Sequence, residues 1–159
     1  MGGIIYREAK EGDLDKIVEM WKELRREQDH WNADYRVYSD NCVELTKEYF
    51  EEKLVSNDSF LVAEENLELV GFALAEVKDF SPPIYSWKKD GQIRNIFVKN
   101  NSRGKGIGKE LMNQVMNFLS NKVDIISVKT NINTENAISF YESFGLDKFQ
   151  VGLYKVVKK

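Results

Sequence analysis

The chain is short of the residues that build metal and redox sites. Cys42 is its single cysteine and His30 its single histidine among 159 residues. One cysteine allows no intrachain disulfide and no thiolate cluster for zinc, and one histidine excludes a histidine-rich centre, so no metal is expected. No apolar run approaches the roughly 18 residues that cross a bilayer. The N-terminal residues lack the apolar core of a secretory signal, and Tyr6 stands where a myristoylation signal wants Ser or Thr. No membrane partner is expected, and the cytoplasm is the expected compartment. Excess charge is also lacking: the net charge is −3, which argues against a dedicated nucleic-acid binder. Only two prolines occur, side by side at Pro82-Pro83, and no Pro/Gly/Ser linker or repeat divides the chain.

What is present is a balanced composition of 42% hydrophobic and 31% charged residues. That is a soluble globular chain, and its length suits one domain over residues 1–159. Ile4 to Glu8 reads as a first strand. Asp13 can cap a helix carrying Leu14, Ile17, Val18, Trp21 and Leu24 on one face. An irregular aromatic stretch follows over 28–41, and then a second helix over 42–55. Residues 59–64 and 67–77 read as a hairpin turning at Glu65-Asn66. Further strands are expected at 92–98, 124–130 and 149–157, with helices at 106–121 and 134–144, the latter ended by Gly145. The order is β α α β β β α β α β. It predicts an α/β fold with a mixed, mostly antiparallel central sheet and helices on both faces.

The segment from Val98 to Lys109 carries the chemistry. An apolar strand enters a polar turn that opens onto an amphipathic helix. A helix start has unpaired N–H groups and the positive end of a dipole. Gly104, Gly106 and Gly108 let those groups approach a ligand, and Arg103, Lys105 and Lys109 add cations. This describes a pyrophosphate cradle. It is not a P-loop, because Gly108-Lys109 is followed by Glu110 rather than Ser or Thr. It is not a dinucleotide fingerprint either, because the third glycine is absent. What remains is Arg-x-x-Gly-x-Gly at Arg103, Gly106 and Gly108.

These residues resemble the GNAT superfamily of N-acetyltransferases. Arg103-Gly104-Lys105-Gly106-Ile107-Gly108 is similar to its cofactor-loop signature. Asn136 to Leu146, with Tyr141 and Gly145, is similar to its late Ala-x-x-x-Tyr-x-x-x-Gly helix. The resemblance covers Ile4 to about Val157. It implies acetyl-coenzyme A as the acyl donor and a primary amine as the acceptor, joined by direct attack. It implies that Arg103, Gly104, Lys105, Gly106, Ile107, Gly108 and Lys109 hold the diphosphate. The backbone of Ile96, Phe97 and Val98 would pair with the pantetheine arm, which requires the sheet to splay beside that strand. An N–H near Phe97 or Val98 would face the thioester carbonyl. Tyr141 is the implied general acid, a phenol of ordinary pKa about 10 poised near a thiolate.

The chain departs from the family pattern in two places. Many members carry Asn seven residues before the tyrosine. Here that position is Thr134, flanked by Asn133 and Asn136, which are kept as cofactor contacts. Ser143 replaces a lysine that often follows the tyrosine. The strand before the loop offers Gln92, Arg94 and Asn95 but no carboxylate for the usual base, so Glu76 through water, Asp34 or His30 are the options. The acceptor would be walled by 25–41 and 79–90, where Trp31, Asp34, Tyr35 and Tyr85 are candidate contacts beside Glu27, Asp29 and Asp40. Aromatic faces with carboxylates suit a cationic amine, small or polyamine-like. Two alternatives stay open: a coenzyme A-binding sensor without catalysis, and a protein N-terminal or lysine acetyltransferase. The last strand could pair across a homodimer.

Overall fold

A computed structural model of the chain describes residues 3–32, 38–80 and 82–157, without the side chains of residues 31 and 32. Five strands form one sheet in the order β1-β2-β3-β4-β5: β1 Ile5–Glu8, β2 Ser59–Glu65, β3 Glu68–Asp79, β4 Lys89–Val98 and β5 Ile125–Val128. The first three pairings are antiparallel, and β4 with β5 is parallel. Among the described residues four α-helices accompany it: α1 Leu14–Asn32, α2 Cys42–Leu54, α3 Ile107–Ser120 and α4 Glu135–Glu142. The mixed, mostly antiparallel sheet between helical layers is the expected fold.

Alternation along the strands builds two cores. Phe60 and Val62 of β2, Phe72 and Leu74 of β3 and Phe97 of β4 face one way, against Ile17 and Met20 of α1 and Phe50 of α2. Leu61, Ala63, Ala73, Ala75 and Ile93 face the other way, against Ile107, Leu111, Met112, Val115 and Leu119 of α3. The α3 residues recur at helical spacing, and all five are essentially inaccessible. Their burial at about 25 cal/mol per Å² fixes α3, and with it the turn that precedes it.

Three elements differ from expectation. Helix α1 runs to Asn32, so 28–32 are helical rather than irregular. Strand β4 begins at Lys89, because Lys89, Asp90 and Gly91 pair with Asp79, Lys78 and Val77. Asp and Gly disfavour strands, and tertiary pairing overrides that preference here. The expected strand over 149–157 does not form: 147–157 carry no ladder, and Phe149 and Leu153 are 81% and 92% exposed. Period-two alternation marks a face that could be buried, but a strand also needs a partner edge, and β5 is four residues long.

Candidate active site

The site begins where the sheet forks. Strands β4 and β5 pair only from Asp90–Ile125 to Ile93–Val128. Beyond Ile93, β4 continues to Val98 while the chain after β5 swings away to α4. Opposite, the β3–β4 register shifts between Leu74 and Ala75, which face Asn95 and Ile93, so Arg94 is an extra residue on β4. Such a bulge bends the strand and increases its twist. The expected splay is therefore present, on the expected strand.

A cleft of about 840 Å³ fills the fork. Ile96, Phe97 and Val98 form one wall, and Asn133, Asn136, Ala137 and Phe140 the other, with Leu24 and Glu27 of α1 and Arg103 beside them. Main-chain direction decides which backbone groups can serve. The Lys99 N–H donates to the Val70 carbonyl at 2.8 Å, toward β3. Alternation then turns the amide groups of Phe97 toward β3 and those of Ile96 and Val98 toward the cleft. Of the two expected thioester donors, Val98 is oriented and Phe97 is not; Phe97 contributes its buried ring.

The glycine turn has the geometry of a cradle. A short 3-10 turn, Asn100–Ser102, leads into Gly104 and Gly106, both with φ of 78°. Only glycine enters that left-handed region at little cost, and a Cβ at either position would meet nothing within 4 Å. Both positions thus open on space. The Glu110 N–H closes on the Gly106 carbonyl at 3.0 Å, so the N–H groups of 107–109 have no acceptor within the helix. The Arg103 N–H, by contrast, is used in its own turn, on the Asn100 carbonyl at 3.3 Å. Of the expected cradle residues, Arg103 thus has its N–H engaged, and Gly104 to Lys109 remain as candidates. Open glycines, unpaired N–H groups and a helix start together fit a diphosphate.

Two cations of the turn are engaged elsewhere. The Lys105 ammonium lies 2.9 Å from both Glu65 carboxylate oxygens. The Arg103 guanidinium holds both Glu27 oxygens at 2.8 and 3.0 Å and donates from Nε to the Val98 carbonyl at 2.8 Å. It also lies over the Phe97 ring, 5.5 Å from the centroid.

On α4, Phe140 lines the cleft, while Tyr141 packs beside it at 5.4 Å between ring centroids, among the residues of the α3 face. Burial raises the Tyr141 phenol to about 12. Asn133 and Asn136 both reach the cleft. Thr134 holds the capping position of α4, but its hydroxyl donates to the Asn131 carbonyl at 2.6 Å instead of accepting from the helix.

Glu76 is poorly suited as a base. It is 1% exposed and lies on the α1/α2 side of β3. Tyr49 donates to it at 2.9 Å, and Lys53, Lys78 and Arg94 pair with it at 2.7, 2.9 and 3.5 Å. Burial pushes its pKa up, but the Lys53, Lys78 and Tyr49 hydrogen bonds outweigh that and hold it down at about 2. A carboxylate so stabilised as an anion has little tendency to take a proton. Tyr85 is also remote from the cleft. It stacks on Trp87 at 6.2 Å and meets Phe80 edge-on at 5.6 Å, in the β3–β4 connection. At roughly 3.3 Å per strand residue, the start of β4 is about 30 Å from its cofactor end. Asp34 and Tyr35 lie outside the described residues, as does the side chain of Trp31. Among the described residues no cluster of metal-ligating groups occurs, and no helix is long and apolar enough to cross a membrane.

A buried carboxylate near the site and one ion pair within it escaped the sequence reading. Asp90 is 7% exposed and accepts from Ser127 Oγ at 2.9 Å and Gln92 Nε2 at 2.8 Å, along the closed part of the β4–β5 ladder. The Arg103–Glu27 contact joins positions 76 apart in sequence, and only the packing of α1 reveals it.

A forked sheet with a glycine cradle at its open end defines an acyl-coenzyme A-binding class of protein. The profile of the acetyltransferase (GNAT) family matches residues 18–146, and the chain belongs to that family. It is accordingly an acetyl-coenzyme A-dependent N-acetyltransferase. It is 34% identical over 113 residues to an uncharacterized N-acetyltransferase of Archaeoglobus fulgidus, covering 70% of this chain and 71% of that one. A predicted acetyltransferase of Clostridium acetobutylicum, solved with acetyl-CoA, superposes with a TM-score of 0.78 at 23% identity, covering 97% of this chain and 96% of that one. Glucosamine-6-phosphate N-acetyltransferase of Arabidopsis thaliana superposes at 0.69 with 18% identity, covering 97% and 99%.

Proposed function

We propose that the acceptor is a small or polyamine-like primary amine, which attacks the acyl group directly in the fork between β4 and β5. The observation that carries this reading is the parting of the two strands after Ile93, which leaves the Ile96 and Val98 main chain facing a cleft that ends at the glycine turn. Acetyl-coenzyme A supplies the acyl group activated as a thioester. Gly104 to Lys109 hold the diphosphate by backbone N–H groups. Ile96 and Val98 offer their main chain to the pantetheine amides as a strand would, and the Val98 N–H stabilises the oxyanion. Asn133 and Asn136 bound the other side of the arm.

Tyr141 donates toward the departing sulfur from α4, beside the cleft wall. Its pKa of about 12 against about 8.5 for a thiol makes complete transfer uphill by about 5 kcal/mol. The phenol therefore acts chiefly as a hydrogen-bond donor to the nascent thiolate, and is itself protonated throughout the working range. Strand β4 contributes no carboxylate to the cleft wall, and in this reading the attacking nitrogen enters as the neutral amine. Glucosamine-6-phosphate, acetylated by a neighbour of the same fold, illustrates the size of acceptor this reading favours.

The test is thiol release from acetyl-coenzyme A against a panel of alkyl amines, polyamines, amino sugars and lysine peptides. Transfer to a small amine, with a rate that rises with pH as its neutral fraction grows, is the expected result. Activity on lysine peptides alone would move the acceptor to protein. Coenzyme A binding with no transfer to any amine would overturn the proposal and leave a binding module.

A further inference from the structure

The cleft contains a carboxylate that the mechanism does not use. Glu27 lines it from α1, where the Arg103 guanidinium grips both of its oxygens. The same guanidinium belongs to the cradle turn and occupies the Val98 carbonyl, a main-chain acceptor that the pantetheine arm needs. Arg103 thus straps α1 to β4 across the cofactor slot. Guanidinium binds phosphate at least as well as carboxylate, in the same forked geometry. A diphosphate in the cradle offers more negative charge than Glu27, and the pair is exposed enough, 45% and 40%, for the guanidinium to swing over. Glu27 then faces the cleft without its guanidinium partner, beside an anionic cofactor. A cation restores neutrality there.

Glu135, at the start of α4, is the other carboxylate on the cleft wall among the described residues, and the buried carboxylates are committed, Asp13 to Arg7. Glu76 is held by three cations and a phenol, and Asp90 by Ser127 and Gln92 on the closed part of the fork. We propose that Glu27 binds a second ammonium group of the acceptor, so that the enzyme prefers amines carrying a second cationic centre, and that Arg103 covers this site until the cofactor diphosphate draws it away. This rests on the acetyl-transfer reading above. It adds a substrate class, diamines and polyamines over monoamines.

The experiment uses the full chain and its Glu27→Gln and Glu27→Asp variants. Coenzyme A affinity is measured by calorimetry, and steady-state kinetics are measured with putrescine and with n-butylamine. Glu27 lies on the exposed side of a helix, so folding is not at stake. Wild type should show a KM for putrescine about tenfold below that for n-butylamine. Glu27→Gln should lose that preference with little change in kcat, and should bind coenzyme A about threefold tighter, since the competing carboxylate is gone. Glu27→Asp should keep most of the diamine preference. An unchanged preference in Glu27→Gln, a wild type indifferent to the second amino group, or coenzyme A affinity that is unchanged or weaker in Glu27→Gln would overturn the inference and leave the transfer reading intact. A wild type that binds coenzyme A but acetylates neither these nor any panel amine would instead overturn the transfer reading itself.

Discussion

Replacing Gly106 by alanine separates the cradle's role in ligand approach from its role in folding. Gly106 has φ of 78°, and a Cβ there would meet no atom within 4 Å. The substitution therefore creates no clash in the free protein. Its effect on stability is the left-handed backbone penalty, about 1 kcal/mol. Gly145, beyond the end of α4, has φ of 82° and equally open space, so Gly145→Ala carries the same penalty away from the glycine turn. The two variants should lose similar stability in urea unfolding, a matched pair. They should differ in coenzyme A affinity. A methyl group at 106 holds a phosphate oxygen away from the N–H groups of α3, and a hydrogen bond to a charged group contributes about 1.5–3 kcal/mol. Gly106→Ala should then bind coenzyme A about 10- to 100-fold more weakly by calorimetry, while Gly145→Ala stays within about threefold of wild type. Equal affinity in the two variants would refute the cradle, because the backbone penalty is common to both.

Further outcomes follow from the same geometry. Glu76→Gln should lose about 3 kcal/mol at pH 7, from a carboxyl held at about 2 against an ordinary 4.5. Because the folded pKa is the lower one, that stability is present above about pH 5 and is lost as pH falls toward 2. Urea titrations should therefore show wild type converging on the variant in acid, and a constant gap would contradict the assigned network. Tyr141→Phe should lower kcat at least tenfold and leave coenzyme A affinity unchanged; an equal loss in both would make the ring a packing element. Trp87→Ala, in the aromatic cluster at the far end of β4, should change coenzyme A affinity less than about twofold in the same calorimetry, since the whole strand, about 30 Å long, separates that cluster from the glycine turn.

What the sequence revealed was local, and what it hid was tertiary. The cradle was legible because its geometry is written in glycine spacing over a few residues, and α3 because Ile107, Leu111, Val115 and Leu119 repeat at helical period. The fork was anticipated only through family resemblance, since no property of Ile93 or Val128 says that pairing stops there. Asp90 and Gly91 look like turn residues, and their place in β4 depends on partners in β3. Glu76 read as a candidate base because Tyr49 and Lys53, which pair with it and hold it as an anion, come from α2, more than twenty residues earlier. The alternation over 149–157 is present in the sequence, yet no edge of the sheet takes it up.

The central claim is that backbone N–H groups of residues 104–109 bind the diphosphate of coenzyme A. A crystal structure of the complex tests it directly. Diphosphate oxygens should lie within about 3 Å of those nitrogens, with Arg103 turned from Glu27 toward them. A diphosphate bound elsewhere, with these amides still facing solvent, would contradict the account.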